Sequence, residues 1–186
     1  MDTTVSIDQS LIARLRGGDT AAIAELSTRY RPALMRYARS MMGNDALAEE
    51  AVQETLSRLS GPNLPEGHPR PWLYKIARNL CLDALRRQAA SPTHAARLNT
   101  GFDAPRETAG PATRAAGIER RESIRQILEV MPEEYRSVLT LRHIEELSRE
   151  EIAEVLGVSE ATVKGRLVRG SEYLREQLKN LTGPPG

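Results

Sequence analysis

An all-α chain made of two small helical domains is what this sequence predicts, and three observations predict it. In every strongly patterned stretch the large apolar residues recur at spacings of three and four, with no sustained alternation of β-branched residues. Hydrophobic residues make up 40% of the 186 positions but aromatics only 4%, so the cores must rest on Leu, Ile, Val, Ala and Met, as in helical bundles. Residues 88–117 are dominated by Ala, Thr, Pro, Gly and Ser, and their only large hydrophobes are Leu98 and Phe102. That stretch reads as a flexible linker between a first domain at 8–87 and a second at 118–180.

Leu11, Ile12 and Leu15 begin the first helical stripe. Gly17-Gly18-Asp19 breaks it, and Asp19 can cap the next helix. That helix carries Ile23 and Leu26, then Leu34, Met35, Ala38, Met41 and Met42, with a bend expected at Pro32. After Gly43-Asn44-Asp45, a helix reaching about Leu59 places Ala48, Val52, Leu56 and Leu59 on one face. Gly61 to Pro71 contains prolines at 62, 65, 69 and 71 and predicts a loop. A helix then spans Trp72 to Arg87, with Leu73, Ile76, Leu80 and Ala84 as its buried stripe.

In the second domain Ile124, Ile127, Leu128 and Met131 form one amphipathic helix. Pro132 suits the first turn of the next, which buries Tyr135, Val138, Leu139 and Leu141. Ser148 and Glu151 form a capping box ahead of Ile152, Ala153, Val155 and Leu156. Gly157 can take the positive φ of a sharp turn, and Ser159 can cap a last helix carrying Val163, Leu167 and Leu174.

Net charge is +1, but charge is arranged in blocks. Between Arg70 and Arg87 stand Arg70, Lys75, Arg78, Arg86 and Arg87 against Asp83 alone. Between Asp45 and Glu54 stand four acids and no base. A chain polarised in this way can offer different faces to different partners. The single cysteine, Cys81, excludes an internal disulfide, fits a reducing cytoplasm and reads as a packing residue rather than a redox sensor. No run approaches the length of a membrane span, and MDTTVSIDQS lacks the basic and apolar parts of a signal peptide, so a cytoplasmic protein without membrane insertion is expected. His68, His94 and His143 are scattered, and no metal-ligand spacing, glycine-rich phosphate loop or nucleophile motif occurs. A catalytic role is therefore excluded, and no cofactor or metal is expected.

Three stretches are candidates for binding. Ser148 to Arg169 has the logic of a helix-turn-helix, whose second helix would present Ser159, Glu160, Thr162, Lys164, Arg166 and Arg169 to duplex DNA. Glu160 can accept from cytosine, Lys164 or Arg166 can donate to guanine, and Arg169 suits a phosphate. A plain helical hairpin with a solvated face would show the same spacing, and Gly165 and Gly170 each weaken the second helix by about 1 kcal/mol relative to Ala. Lys75, Asn79, Leu82 and Arg86 share a face of the Trp72–Arg87 helix, flanked by Arg78 and Arg87, with Trp72 and Tyr74 at its entrance. Basic groups beside rings suit single-stranded nucleic acid; alternatively Trp72 anchors the core and the charges are solvated. Glu49, Glu50, Gln53 and Glu54 face away from Val52, Leu56 and Leu59. They suit a basic protein surface; alternatively Asp45 and Glu49, near the helix start, simply stabilise the helix dipole.

Together these stretches resemble the extracytoplasmic-function (ECF) sigma factors of the sigma-70 family. Ala48-Glu49-Glu50-Ala51-Val52-Gln53-Glu54 is similar to the family's AEDLVQE segment. Arg70-Pro71-Trp72-Leu73-Tyr74-Lys75-Ile76-Ala77-Arg78-Asn79 is similar to FRPWLYRIARN, and Leu147-Ser148 through Thr162-Val163-Lys164 to LSxxEIAxxLGxSxxTVK. The resemblance covers about residues 11–87 and 118–178. It implies a subunit that binds core RNA polymerase, through its β′ and β subunits, and directs initiation at chosen promoters. By likeness, Glu49, Glu50, Gln53 and Glu54 dock on the β′ coiled coil. Arg70, Trp72, Lys75, Arg78, Asn79 and Arg86 recognise and open the −10 element as single strand, and the helix-turn-helix reads the −35 element as duplex. An anti-sigma partner is a further expectation. Thr55, Ser57, Ser60, His68, Gly165 and Gly170 depart from the family's usual residues, which predicts a less well packed end to the acidic helix and unusual promoter preferences. The rival reading is a regulator that uses the same helix-turn-helix without polymerase. It leaves the acidic helix and the Trp72 helix without a task.

Overall fold

The computed structural model describes residues 3–90 and 123–182, apart from 125 and 129. All regular structure among them is helical, as the spacing predicts. The chain divides into two compact units. Beyond Ala90 the expected linker, together with His94 and the expected start of the second domain near Ile118, lies outside the described residues.

The first unit contains α1 (Thr3–Arg16), α2 (Ala21–Met42), α3 (Asp45–Ser57), a 3₁₀ turn (Arg58–Ser60) and α4 (Pro69–Ala89). Helix α2 packs on α1, α3 and α4, and α3 packs on α4. Leu11, Ile12, Leu26, Leu34, Ala38, Met41, Met42, Ala48, Val52, Leu56 and Leu59 are buried, so most of the predicted stripes face inward, while Leu15, Ile23 and Met35 are half-buried. Tyr30 and Tyr37 are buried with them, although an aromatic-poor sequence gave little reason to expect a tyrosine core. Fully burying a side chain of this size contributes about 1.5–3 kcal/mol.

Local chemistry sets the joints. Gly18 holds a φ of 90° between α1 and α2, a conformation open to glycine. Arg14 bridges Asp19 and Glu25, each at 2.8 Å. Asp19 accepts the Ala21 N–H at 3.0 Å, so it serves the start of α2 as predicted, although Thr20 occupies the N-cap position. The Arg14 pair, then the Ala21 N–H, hold the Asp19 carboxyl below its ordinary pKa. Helix α2 is a single element across Pro32 and ends at Gly43, with φ 61°. Asn44 Oδ1 then accepts the Leu47 N–H at 3.1 Å and caps α3. Thr55, where the family usually has a larger apolar residue, is buried and donates its hydroxyl to Ala51 O at 2.7 Å, while Ser57 and Ser60 are exposed.

Helix α4 corrects three expectations. It starts at Pro69 rather than Trp72. Proline fits a helix's first turn because no intrahelical acceptor awaits its missing N–H there, so Pro69 and Pro71 open the helix instead of closing the loop. Its buried stripe is Leu73, Tyr74, Ala77, Cys81 and Ala84, whereas Ile76 and Leu80 are half-buried. Leu73, Ala77 and Ala84, with Tyr74 and Cys81, fall at three- and four-residue spacings on the side facing α2 and α3; Ile76 and Leu80 sit at its edge. Tyr74 stands in the core rather than at the entrance of the basic face. Its ring meets Tyr37 edge-on, with centroids 5.4 Å apart and planes at 84°, a favoured aromatic geometry. Cys81 is buried, and burial pushes its thiol up to about 12, as a packing residue requires.

In the second unit, helical residues within 123–130 precede α5 (Glu133–His143), α6 (Arg149–Leu156) and α7 (Glu160–Thr182). Ile127, Leu128, Met131, Val138, Leu139, Leu141, Leu147, Ile152, Val155 and Val163 are buried, whereas Tyr135, expected inside, is half-buried. Pro132 sits at the N-cap of α5, one place before its predicted position. Between α5 and α6, Glu146 takes a φ of 54°, and the Leu147 N–H reaches Leu141 O at 2.9 Å. Helix α7 packs along α5. A Cβ at Gly170 would lie 3.1 Å from Tyr135 Cβ and 3.3 Å from Leu139, so this glycine permits the close approach of the two helices.

Candidate nucleic-acid and polymerase interface

The corner between α6 and α7 is built as its sequence predicts. Ser148 N–H donates to Glu151 Oε2 at 2.7 Å, and Glu151 N–H donates to Ser148 Oγ at 3.0 Å. These two bonds form the reciprocal capping box. Gly157 holds a φ of 65°, and the Val158 N–H returns to Ala153 O at 3.1 Å, the six-to-one bond of a Schellman ending. Ser159 Oγ accepts the Thr162 N–H at 3.2 Å and lies 2.9 Å from the Thr162 hydroxyl. The start of α7 is therefore fixed within a few residues on either side.

The six residues expected on the outer face of α7 separate into three groups. Glu160, Lys164 and Arg169 are exposed. Ser159 and Thr162 share hydroxyls in the cap. Arg166 turns toward α5, where its Nη2 lies 3.6 Å from Glu134 Oε2 and its side chain is 23% exposed, so it is not part of the outward set. Sequence reasoning missed what completes the stripe. Ala161 and Val168 are exposed and Gly165 is half-exposed, with Val168 at 51%. A Cβ at Gly165 would meet only the Arg169 guanidinium, 3.6 Å away. The signal was available: positions 160, 161, 164, 165 and 168 fall on one side of a helix, but apolar residues there were not read as surface.

In the first unit Lys75, Asn79 and Arg86 are exposed along α4, as expected. Arg86 pairs with Asp83 at 2.9 Å. Trp72 is half-buried at one end of this face. With Ile76, Asn79 and Leu80 it lines an open recess of about 370 Å³ whose far wall is the proline loop, from Gly61 to Asn63. The ring is thus neither a core anchor nor fully exposed; it is one wall of a recess with an amide at its mouth. Arg78 and Arg70 are half-buried. Arg70 lies close enough to Tyr30 for its charge to act on the phenol, on the side of α4 away from Trp72.

The acidic helix is less free than its sequence suggests. Glu49 is ion-paired with Arg31 of α2 and accepts from Gln53 Nε2 at 2.8 Å. The Gln53 bond, then Arg31, lower its pKa. Glu54 pairs with Arg58, and Asp45 with Arg39 at 3.0 Å. Glu50 is exposed and forms no ion pair among the described residues. It stands with Gln53 and Glu54 on the rim of a cleft of about 520 Å³ between α3 and α4, floored by Leu47, Ala51, Leu80 and Ala84.

Among the described residues, no group of three metal-ligating side chains is found, and no helix is long and apolar enough to cross a membrane. A family model described as "Sigma-70 region 2" matches residues 26–91, and one described as "Sigma-70, region 4" matches 121–174. The ECF RNA polymerase sigma factor SigW of Bacillus subtilis is 31% identical over 91% of this chain and 96% of its own length. The RNA polymerase sigma factor CarQ of Myxococcus xanthus is 32% identical over 90% of this chain and 95% of its own. Among solved structures, CnrH in complex with the cytosolic domain of CnrY superposes with a TM-score of 0.66 at 24% identity, over 93% of this chain and 97% of that one. The sigma factor RpoE of Bartonella quintana, in complex with the anti-sigma factor NepR, superposes with a TM-score of 0.63 at 20% identity, over 83% and 97%. These likenesses run across both units and set aside the polymerase-independent regulator. The chain belongs to the ECF sigma factors of the sigma-70 family, and is a transcription initiation factor rather than an enzyme.

Proposed function

We propose that the two units divide promoter recognition between melted and paired DNA, and that α3 carries the contact with core polymerase. The observation that carries this reading is the recess between Trp72, Asn79 and the proline loop, beside the exposed Lys75. An unpaired base of the −10 non-template strand enters it, stacks on Trp72 and is met by Asn79, while Lys75 and Arg86 follow the phosphates. Flipping a base costs a few kcal/mol and stacking returns about 1–3 kcal/mol, so one such recess with flanking charges can hold a bubble open. Arg78 supports the strand from the edge of this face, and Arg70 acts from behind it.

At −35, Glu160 and Lys164 read base edges in the major groove, with Ala161, Gly165 and Val168 admitting apolar contact with thymine methyls. Ser159 and Thr162 hold the helix start, whose free N–H groups face phosphate. Arg169 takes a phosphate, and Arg166 steadies α7 against α5. The cleft between α3 and α4 receives β′ of core polymerase, with Glu50, Gln53 and Glu54 meeting a basic surface and Glu49 held by Arg31. An anti-sigma partner, seen in the complex of the RpoE neighbour, would compete for these same surfaces. The protein acts where polymerase acts, in the cytoplasm.

The test is run-off transcription by core polymerase with the purified chain, on DNA recovered from the complex they form. Initiation at defined start sites is expected, with weak promoter binding by the free chain. If genomic promoters give no transcript, the assignment fails.

A further inference from the structure

Helix α1 reaches the proline loop by two separate contacts. Asp8 is fully buried. Its carboxylate accepts the Tyr30 hydroxyl, pairs with Arg29 Nε at 2.9 Å and lies 3.3 Å from His68 Nε2. The other ring nitrogen of His68, Nδ1, accepts the Arg70 N–H at 3.2 Å and caps α4. The imidazole thereby stands between the carboxylate of α1, which its Nε2 faces, and the first turn of the DNA-facing helix, which its Nδ1 caps. Two turns further along α1, Arg16 Nη2 donates to Pro65 O at 2.6 Å and lies 3.5 Å from Leu64 O.

The loop has reason to need outside anchors. Pro62 and Pro65 supply no N–H, so it cannot close itself with a regular ladder of backbone bonds. A buried, multiply bonded carboxylate is weak evidence of added stability, because desolvation offsets much of the pairing. It does specify one arrangement of the groups around it.

We propose that α1 is a clamp that sets the proline loop against α4, with Asp8 and Arg16 as positioning residues for capture of the unpaired strand. Neither touches DNA. A loop held at His68 and Pro65 keeps the wall of the Trp72 recess in place before a base arrives, so capture does not have to order it. This rests on the −10 reading given above. It adds a function for a helix that lies wholly before residues 26–91, the stretch matched by the region 2 model.

The test uses full-length Arg16→Ala, His68→Asn and Asp8→Asn chains reconstituted with core polymerase. Arg16 is exposed, so its replacement leaves the core intact even where Asp8→Asn fails to fold. Asparagine at 68 can still cap α4 but is too short to span both partners. The probe is a single-stranded −10 oligonucleotide from a promoter that the wild-type holoenzyme transcribes. Arg16→Ala and His68→Asn should weaken its binding by about tenfold, the equivalent of one charge-assisted hydrogen bond. They should also speed amide exchange within 61–68, while leaving affinity for core polymerase and for a −35 duplex unchanged. Oligonucleotide binding equal to wild type, with or without faster exchange, would overturn the clamp. Loss of core affinity in step with oligonucleotide binding would also overturn it, because the residues would then be merely structural. A wild-type holoenzyme that transcribes but cannot bind the oligonucleotide would instead defeat the −10 reading.

Discussion

The two proposed DNA-facing helices are held in different ways. Helix α7 is fixed by bonds between neighbours: Ser148 with Glu151, Val158 with Ala153, Ser159 with Thr162. The start of helix α4 is capped by His68, but the loop before it is tied to α1 by residues far apart in sequence: Arg16 donates to Pro65, and Asp8, held by Tyr30, stands beside His68. A local lock forms wherever its few residues occur together. A distant lock forms only when the whole unit is folded, so the recess at Trp72 is as well defined as the packing of α1 on α2. On the proposed roles, the helix for rigid duplex carries its own fixings, whereas the helix for a flexible strand shares them with the rest of its unit.

Charge reversals on α7 and on α3 have the largest expected effects. Lys164→Glu should weaken binding to a −35 duplex by tenfold or more, about the discrimination expected from one base contact, and leave binding of a −10 single strand unchanged; filter binding with the two probes checks it. On α3, Glu50→Lys should weaken core polymerase affinity by about tenfold, a charge-complementarity effect, with neither DNA probe affected. Competition for core against the wild-type chain measures it.

The two glycines of α7 sharpen the comparison within one helix. Gly170→Ala forces a Cβ to 3.1 Å from Tyr135 Cβ and should destabilise the second unit by about 1–2 kcal/mol. Gly165→Ala meets nothing closer than a mobile guanidinium and should stabilise it by up to about 1 kcal/mol, while altering promoter preference. Urea unfolding of the pair should therefore shift in opposite directions. In the first unit, Cys81 should resist a thiol reagent at pH 8 and react only on unfolding, because its thiol is buried and pushed up to about 12. The smallest effect is that of pH. Asp19 and Glu49 have carboxyls held below the ordinary values of 3.8 and 4.5, so their contribution is complete above those values and is lost as the pH falls through the lower, folded ones. Stability to urea should hold from pH 7 to pH 5 and decline below about pH 4, with Arg14→Ala removing part of the decline.

The same contrast explains how much was legible in the sequence. The capping box, Gly157 and Ser159 were readable because each is a local motif with a fixed spacing. The helices and most of their core stripes followed from periodicity. What escaped depended on distant partners: which way α4 turns its stripe, because Ile76 and Leu80 match the spacing as well as Ala77 and Cys81 do; the pairing of Arg31 with Glu49 that quiets the acidic face; the turn of Arg166 toward Glu134. Asp8 carried no sequence signal, since a lone acid in an amphipathic helix reads as solvated. His68 stood out as a departure, but only Asp8 beside it shows what the departure supplies.

The most direct measurement is permanganate reactivity of −10 thymines in complexes of core polymerase with wild-type and Trp72→Ala chains. Trp72→Ala should bind core and the −35 duplex as wild type does, yet leave those thymines protected by pairing, with reactivity reduced at least tenfold for the loss of one stacked base. Wild-type reactivity in the Trp72→Ala complex would contradict a division between paired and melted DNA built on this recess.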